Sequence, residues 1–303
     1  MILEIEKVDQ SFRSGFWMKQ IQVLHSVSLK VPEKSISGFL GANGAGKTTL
    51  IHLIAGLRKP VRGQIRVMGY QATTTEARAC LGYLPERPYF YEHLTGEGLL
   101  EYFGALSGMK RLRVRERITE VLAVVRMSEA RQVELKNYSK GMLQRIGIAQ
   151  ALLHDPQFLV LDEPMSGLDP LGRKEIRELM IQLASEGRSI FFSTHFIPDV
   201  ESLCDRVVLI QKGKIIGAGP IREFIGDQGV QTEIIFSNLS LDRAKSLAVF
   251  ATLRELPDSL RGVLDEKENS DQVLMKLLQS GAKIHSVSPL RPSLESFFET
   301  SQG

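Results

Sequence analysis

The sequence predicts an α/β fold: a core built around a glycine-rich loop, a helical segment inserted into it, and a small C-terminal α+β appendage. Three observations predict it. A glycine-rich run, Gly41-Ala42-Asn43-Gly44-Ala45-Gly46-Lys47-Thr48-Thr49, lies between an apolar stretch, Ile36 to Leu40, and a helix-patterned segment, Leu50 to Leu57. Phe158-Leu159-Val160-Leu161 is continuously apolar, as a strand buried on both faces of a parallel sheet must be. After about residue 220 the glycine-rich pattern stops and short strand and helix patterns take over.

The elements follow in order. Met1 to Glu6 alternates apolar and acidic residues like a strand, and the chain to residue 84 reads as short strands around the glycine loop. Gly56, Gly63 and Gly69 punctuate a helix end and a strand, Gln64–Met68. Phe16 and Trp17 belong to a hairpin inserted before Ile21–Leu24. Pro85 and Pro88 break the pattern, and two helices follow, marked by Leu99, Leu100, Tyr102, Phe103 and by Ile118, Val121, Leu122, Val125. Ser139 stands where an N-cap belongs, ahead of a helix with Met142, Ile146, Ala149 and Leu153 on one face. Strands return at Ser189–Ser193 and Arg206–Ile210. In the appendage, Thr232–Phe236 and Lys283–Val287 read as strands, and Asp242–Leu253, Gln272–Leu278 and Ser293–Phe298 as helices. The expected boundaries are 1–220 for the core, with the helical subdomain at about 85–155, and 221–303 for the appendage.

Bulk properties exclude some functions. At 303 residues and 43% hydrophobic composition the chain has ample length for a core, and a net charge of +3 gives no argument for nucleic acid. Cys80 and Cys204 lie far apart without metal-ligand spacing, which suits a reduced, cytoplasmic protein. The opening residues lack the basic and apolar regions of a signal peptide, and no apolar run reaches the roughly 18 residues a membrane span requires. A role at a membrane would need a partner to bring the chain there.

The glycine run carries the chemistry. Strand, glycine loop, Lys-Thr and helix form the context in which G-x-x-x-x-G-K-[ST] becomes a phosphate site. Backbone N–H groups of Gly41, Asn43, Gly44, Ala45 and Gly46 close around an anion, and the helix N-terminus adds its dipole. Lys47 would reach the β- and γ-phosphates of a nucleoside triphosphate, with Thr48 on Mg²⁺ and Thr49 beside it. The apolar run at Phe158 ends in Asp162-Glu163-Pro164, whose adjacent carboxylates point to opposite sides of the strand. Alone they would be two solvated acids. Beside a phosphate loop, Asp162 is placed to hold the metal's water shell and Glu163 to polarise an attacking water. Ser139 and Gly141 open a second helix, which by itself reads as an ordinary capped helix.

In the order of these segments the chain resembles the ATP-binding subunit of an ABC transporter, with a P-loop NTPase core. Gly41–Thr49 matches the Walker A loop, Phe158–Glu163 the Walker B strand, and Tyr138–Met142 the signature motif. Ser166-Gly167-Leu168-Asp169 matches the D-loop and His195 the switch histidine, so the resemblance covers residues 1 to about 220. Pro292-Ser293-Leu294-Glu295-Ser296-Phe297-Phe298 is similar to the C-terminal end of ABC-2-type exporter ATPases.

The resemblance implies a homodimer with ATP and Mg²⁺ between subunits, the Walker motifs of one chain facing Ser139 and Gly141 of the other. His195 would contact the γ-phosphate and hold the Glu163–water geometry. Asp169 would link the two sites, where the plain alternative is a helix cap beside Pro170. Phe12 would stack on adenine, with Trp17 as a competitor. The implied partner is a separate transmembrane permease, with the chain peripheral on the cytoplasmic face of the inner (plasma) membrane and no nucleic acid involved. Two departures from the pattern stand out. Glu86 occupies the place where glutamine is usual, and as a metal ligand it adds negative charge beside phosphate. Lys140 and Met142 replace the commonest glycine and glutamine of the signature.

The basic cluster Lys110, Arg111, Arg113, Arg115 and Arg117 reads first as a solvated, flexible connection, and second as a contact for lipid headgroups or a membrane partner's loop. Two other functions compete with transport. An ATPase acting on ribosomes or DNA would need a second cassette or a long coiled coil, and the interval from Lys47 to Asp162 has no room for the latter. A nucleotide switch without turnover is the other, and Glu86 keeps it open. The cargo is not written in this chain.

Overall fold

The computed structural model describes residues 1–14, 19–225, 231–265 and 268–290, together with Leu294. The chain divides into two compact units, Met1–Ile221 and Arg222–Gly303.

The first unit opens with two long strands, β1 (Leu3–Ser14) and β2 (Lys19–Val31), paired antiparallel with shifts in register after Ile5 and Val8. The expected short strands are thus a 12- and a 13-residue ribbon. Gly15 to Met18, with Phe16 and Trp17, lie outside the described residues. Next come β3 (Ile36–Leu40), α1 (Lys47–Ile54), β4 (Arg62–Val67), β5 (Tyr70–Gln71), α2 (Thr75–Ala79) and β6 (Leu81–Leu84). The helical segment holds α3 (Gly96–Leu106), α4 (Arg111–Val124) and α5 (Lys140–Leu152). The core then resumes with β7 (Phe158–Leu161), α6 (Pro170–Ser185), β8 (Ser189–Thr194), α7 (Ile197–Leu203), β9 (Arg206–Gln211) and β10 (Lys214–Pro220).

Six strands form the central sheet in the order β10-β9-β3-β8-β7-β6, all parallel except β10. A second, antiparallel sheet has the order β2-β1-β4-β5. The two sheets share one core in which Phe39, Phe158 and Phe191 meet Ile5, Val8, Leu24, Leu50 and Ile54. The Phe39 and Phe191 rings are 5.3 Å apart. Each such side chain contributes about 1.5–3 kcal/mol by leaving water. The phosphate loop therefore springs from β3, which is buried at all five positions, into a helix whose apolar face is also buried.

The basic cluster is not a flexible connection. Arg111, Arg113, Arg115 and Arg117 lie in the first half of α4, and Arg117 turns inward. Its Nη2 donates to the Leu152 carbonyl at 2.8 Å and its Nε to the Leu153 carbonyl at 3.1 Å. The arginine supplies donors to the carbonyls left over at the end of α5.

The short helix α8 (Ile221–Ile225) spans the junction between units. The second unit has the order β11 (Gln231–Ser237), α9 (Leu241–Ser246), β12 (Phe250–Leu256), β13 (Ser259–Leu264), α10 (Ser270–Gln279), β14 (Lys283–Leu290). Its antiparallel sheet runs β12-β13-β11-β14, so the unit is a βαββαβ split fold. The helix expected over Asp242–Leu253 is corrected: it stops at Ser246, and Ala248 adopts φ +52 before β12 begins. Val249, Phe250 and Thr252 favour a strand, and pairing with β13 outweighs the helical spacing of Ala244, Leu247, Ala248 and Ala251. Most of the expected helix at Ser293–Phe298, and with it the motif similar to exporters, lies outside the described residues; Leu294 is buried.

Candidate active site

The phosphate loop is shaped by backbone constraints. Gly46 caps α1 with φ +107, a conformation only glycine adopts freely, and a Cβ there would lie 2.9 Å from Leu24. At Gly41 a Cβ would lie 2.6 Å from the Ile210 carbonyl. The loop can pass close to β9 only without side chains. Asn43, Gly44, Gly46, Lys47, Thr48, Thr49, Glu86 and Glu163, with Val23, line a cavity of about 390 Å³. Gly41 and Ala45 are buried behind it.

Lys47 folds back onto its own loop. Its Nζ donates to the Gly41 carbonyl at 2.8 Å and lies 3.3 Å from Glu163 Oε1. His195 Nδ1 is 3.0 Å from Oε2 of the same carboxylate and 3.1 Å from Oε1. Glu163 is thus 9% exposed and shared between a lysine and an imidazole. A triphosphate drawing Lys47 toward its own oxygens would leave Glu163 with His195.

Ser193, at the end of β8, sets the two carboxylates apart. Its hydroxyl donates to Asp162 Oδ1 and accepts from the Glu163 N–H at 2.9 Å. Glu163 itself has φ +47, a left-handed conformation that costs a non-glycine residue about 1–2 kcal/mol. That turn sends its side chain toward Lys47 and His195 while Asp162 stays behind. Sequence reasoning missed Ser193; its placement just before Thr194-His195 is the only local signal.

Asp162 is fully buried, and its Oδ2 has no hydrogen-bond partner. Burial pushes its carboxyl upward, opposed by the Ser193 and Thr48 hydroxyls and reinforced by the charges of Glu86 and Glu163. That orphaned buried oxygen asks for a donor such as a metal-bound water. Among the described residues no group of three or more His, Cys, Asp or Glu is close enough to hold a metal by itself. Oxygen ligands supplied by one hydroxyl, one or two carboxylates, waters and substrate phosphate are what Mg²⁺ prefers, so the residues present fit it.

The remaining predicted residues stand apart from this cavity. Ser139 caps α5, accepting from the Met142 N–H at 3.2 Å, and Gly141 follows it in the first turn. Asp169 caps α6, accepting from the Gly172 N–H at 2.9 Å, so within one chain it does the plain structural job. Both Ser139 and Asp169 are exposed. Phe12, on β1, does not line the cavity, and the Arg58 guanidinium lies 5.0 Å from its ring centroid. A base stacking on that face would have to share it with Arg58.

With this geometry in place, comparison with known proteins is direct. Residues 24–166 match the model of the ABC transporter family. An uncharacterized ABC transporter ATP-binding protein of Nostoc sp. is 39% identical over 98% of this chain and 88% of its own length. Another, YdbJ of Bacillus subtilis, is 38% identical over 98% of this chain and 94% of its own. Among solved structures, an ATP-binding subunit of an ABC transporter is 30% identical with a TM-score of 0.63, covering 74% of this chain and 92% of that one. The protein cbiO1 of Clostridium perfringens, part of the transporter complex cbiONQ, is 25% identical with a TM-score of 0.65, covering 76% and 92%. The chain belongs to the ABC transporter family: it is an ATP-binding subunit whose ATP hydrolysis is coupled to transport.

Proposed function

We propose that the chain works as a head-to-tail homodimer that closes around two ATP molecules and drives an exporter through a separate membrane permease. The observation that carries this reading is the division of the site. The phosphate loop, Lys47, Glu163 and His195 form one cluster, whereas Ser139 and Asp169 are exposed outside its cavity and Gly141 is half-buried beside Ser139. A second copy supplies the missing half. Each γ-phosphate then sits between Lys47 of one chain and the helix N-terminus at Ser139 of the other, where N–H groups and dipole favour an anion.

Thr48, Asp162 and Glu86 would hold Mg²⁺, which neutralises charge on the phosphates. Arriving phosphate takes Lys47 from Glu163. The freed carboxylate accepts a proton from the attacking water, and His195 Nδ1 holds it in place. Asp169 joins the two sites, and Phe12 meets the adenine.

The assembly of cbiO1 into a transporter complex supports a membrane partner for this chain too. Next to Glu86 stand Tyr89, 91% exposed, and Tyr91, whose ring packs edge-on at 5.6 Å against Tyr102. This aromatic face belongs to the helical segment and is the surface we assign to the permease. It would lie at the cytoplasmic face of the inner membrane, reached through that partner. Among the described residues no helix is long and apolar enough to cross a membrane. Export follows the ABC-2-like motif Pro292–Phe298, and residues 221–303 form an accessory domain.

The test is Glu163→Gln with Mg-ATP. The variant is expected to bind ATP, stop turning over, and elute as a dimer. Wild-type turnover would remove Glu163 from the role of base, and a monomer with bound ATP would contradict the shared site.

A further inference from the structure

Asp169 and His195 lie on different loops, yet one side chain grips the elements that carry both. Arg173 is one turn into α6, the helix that Asp169 caps. Its Nη1 is 3.4 Å from Asp199 Oδ2 on α7, a carboxylate only 3% exposed. Its guanidinium carbon also lies over the ring of Phe196, the residue after His195, 4.5 Å from the ring centroid. Phe196 is anchored in turn, its N–H donating to the Thr194 hydroxyl at 3.0 Å. The Asp199 carboxyl is pushed upward by burial and drawn back by Arg173 and Arg177, and it also feels Glu163 and His195.

The other end of the same segment is held as well. Gly167 has φ +64, and a Cβ built there would fall 2.0 Å from Lys140 Nζ. The end of the Lys140 side chain therefore rests on the Gly167 backbone. Lys140 directly follows Ser139, the residue offered to the partner's nucleotide. Residues 167–173 thus bridge the signature helix and the loop of His195 within a single chain.

We propose that Arg173 is a positioning residue that links the Asp169 loop to His195, so that docking of the partner at Ser139 and Asp169 sets the His195–Glu163 pair. The inference rests on the reading of that pair as the hydrolytic one. Lysine cannot replace arginine fully here, because it keeps the charge and loses the guanidinium that reaches Asp199 and Phe196 together.

The test compares turnover, ATP KM and melting temperature in the full-length protein. Arg173→Met should lower kcat by roughly ten- to a hundredfold, the scale of a small misplacement of catalytic groups, with ATP KM little changed. It also takes from the buried Asp199 carboxylate its salt-bridge partner, leaving it only the more distant charges of Arg177 and His195, so the melting temperature should fall. Arg173→Met combined with Asp199→Asn removes that charge and should restore the melting temperature while kcat stays low. Arg173→Lys should give an intermediate kcat. Recovery of kcat together with stability in the double variant would overturn the proposal and leave a purely structural ion pair. A kcat for Arg173→Met within about twofold of wild type would do the same. His195→Ala separates the two claims: wild-type turnover there would bring down the hydrolytic reading itself.

Discussion

At the scale of residues, the site is a balance of charge around one cation. Glu86, Asp162 and Glu163 supply three carboxyl groups, and among the described residues Lys47 is the only lysine or arginine that lines the phosphate cavity. Glu86 sits where its charge acts on Asp162 and on any phosphate in the cavity. A triphosphate without metal should therefore be repelled, and the repulsion is part of what the metal relieves. Glu86→Gln is expected to tighten binding of metal-free ATP by about three- to tenfold, the scale of one partly screened charge at short range. Titration of a fluorescent ATP analogue in EDTA and in Mg²⁺ checks this, and equal metal-free affinity in both proteins would contradict it. The residues of Gly41–Thr49 were legible because a phosphate loop is contiguous and its glycines are dictated by backbone geometry. The Lys47–Glu163–His195 cluster was not legible as a contact. It joins three elements far apart in sequence, and only the parallel pairing of β3, β7 and β8 brings them together. Ser193 was overlooked for the same reason: a serine in a buried strand signals nothing until its two hydrogen bonds are seen.

At the scale of elements, helix ends decide how the inserted segment is fastened. Thr95 caps α3, accepting from the Gly98 N–H at 3.1 Å, and Ser139 caps α5 in the same manner. Arg117 fastens the far end of α5 from α4. Arg117→Met should destabilise the protein by about 2–3 kcal/mol, since it strips charged donors from two buried carbonyls. Denaturant unfolding measures this, and a loss below about 0.5 kcal/mol, the level of an ordinary surface change, would show the bonds to be incidental. Basic spacing along α4 revealed charge but not direction: with 3.6 residues per turn, only Arg117 of the cluster faces the core. The appendage shows the opposite difficulty. The run from Asp242 to Leu253 carries apolar residues at helical intervals, Ala244, Leu247, Ala248 and Ala251, together with β-branched and aromatic residues. The choice between helix and strand there is made by β13, a partner strand the sequence pattern did not reveal.

At the scale of the whole molecule, the proposed dimer gives each chain half of two sites, and among the described residues no helix is long and apolar enough to cross a membrane. On this proposal its chemistry is completed by a second copy and its transport by a partner that spans the membrane. The shared ATP would link the two, the closed dimer being the state that presses on the permease. The most direct test is affinity purification of tagged Glu163→Gln protein from detergent-solubilised native membranes in the presence of Mg-ATP. The account predicts a stoichiometric polytopic membrane protein that is retained with ATP and weakened by Tyr89→Ala together with Tyr91→Ala. Recovery only as a soluble dimer, or with ribosomes or DNA, would contradict it.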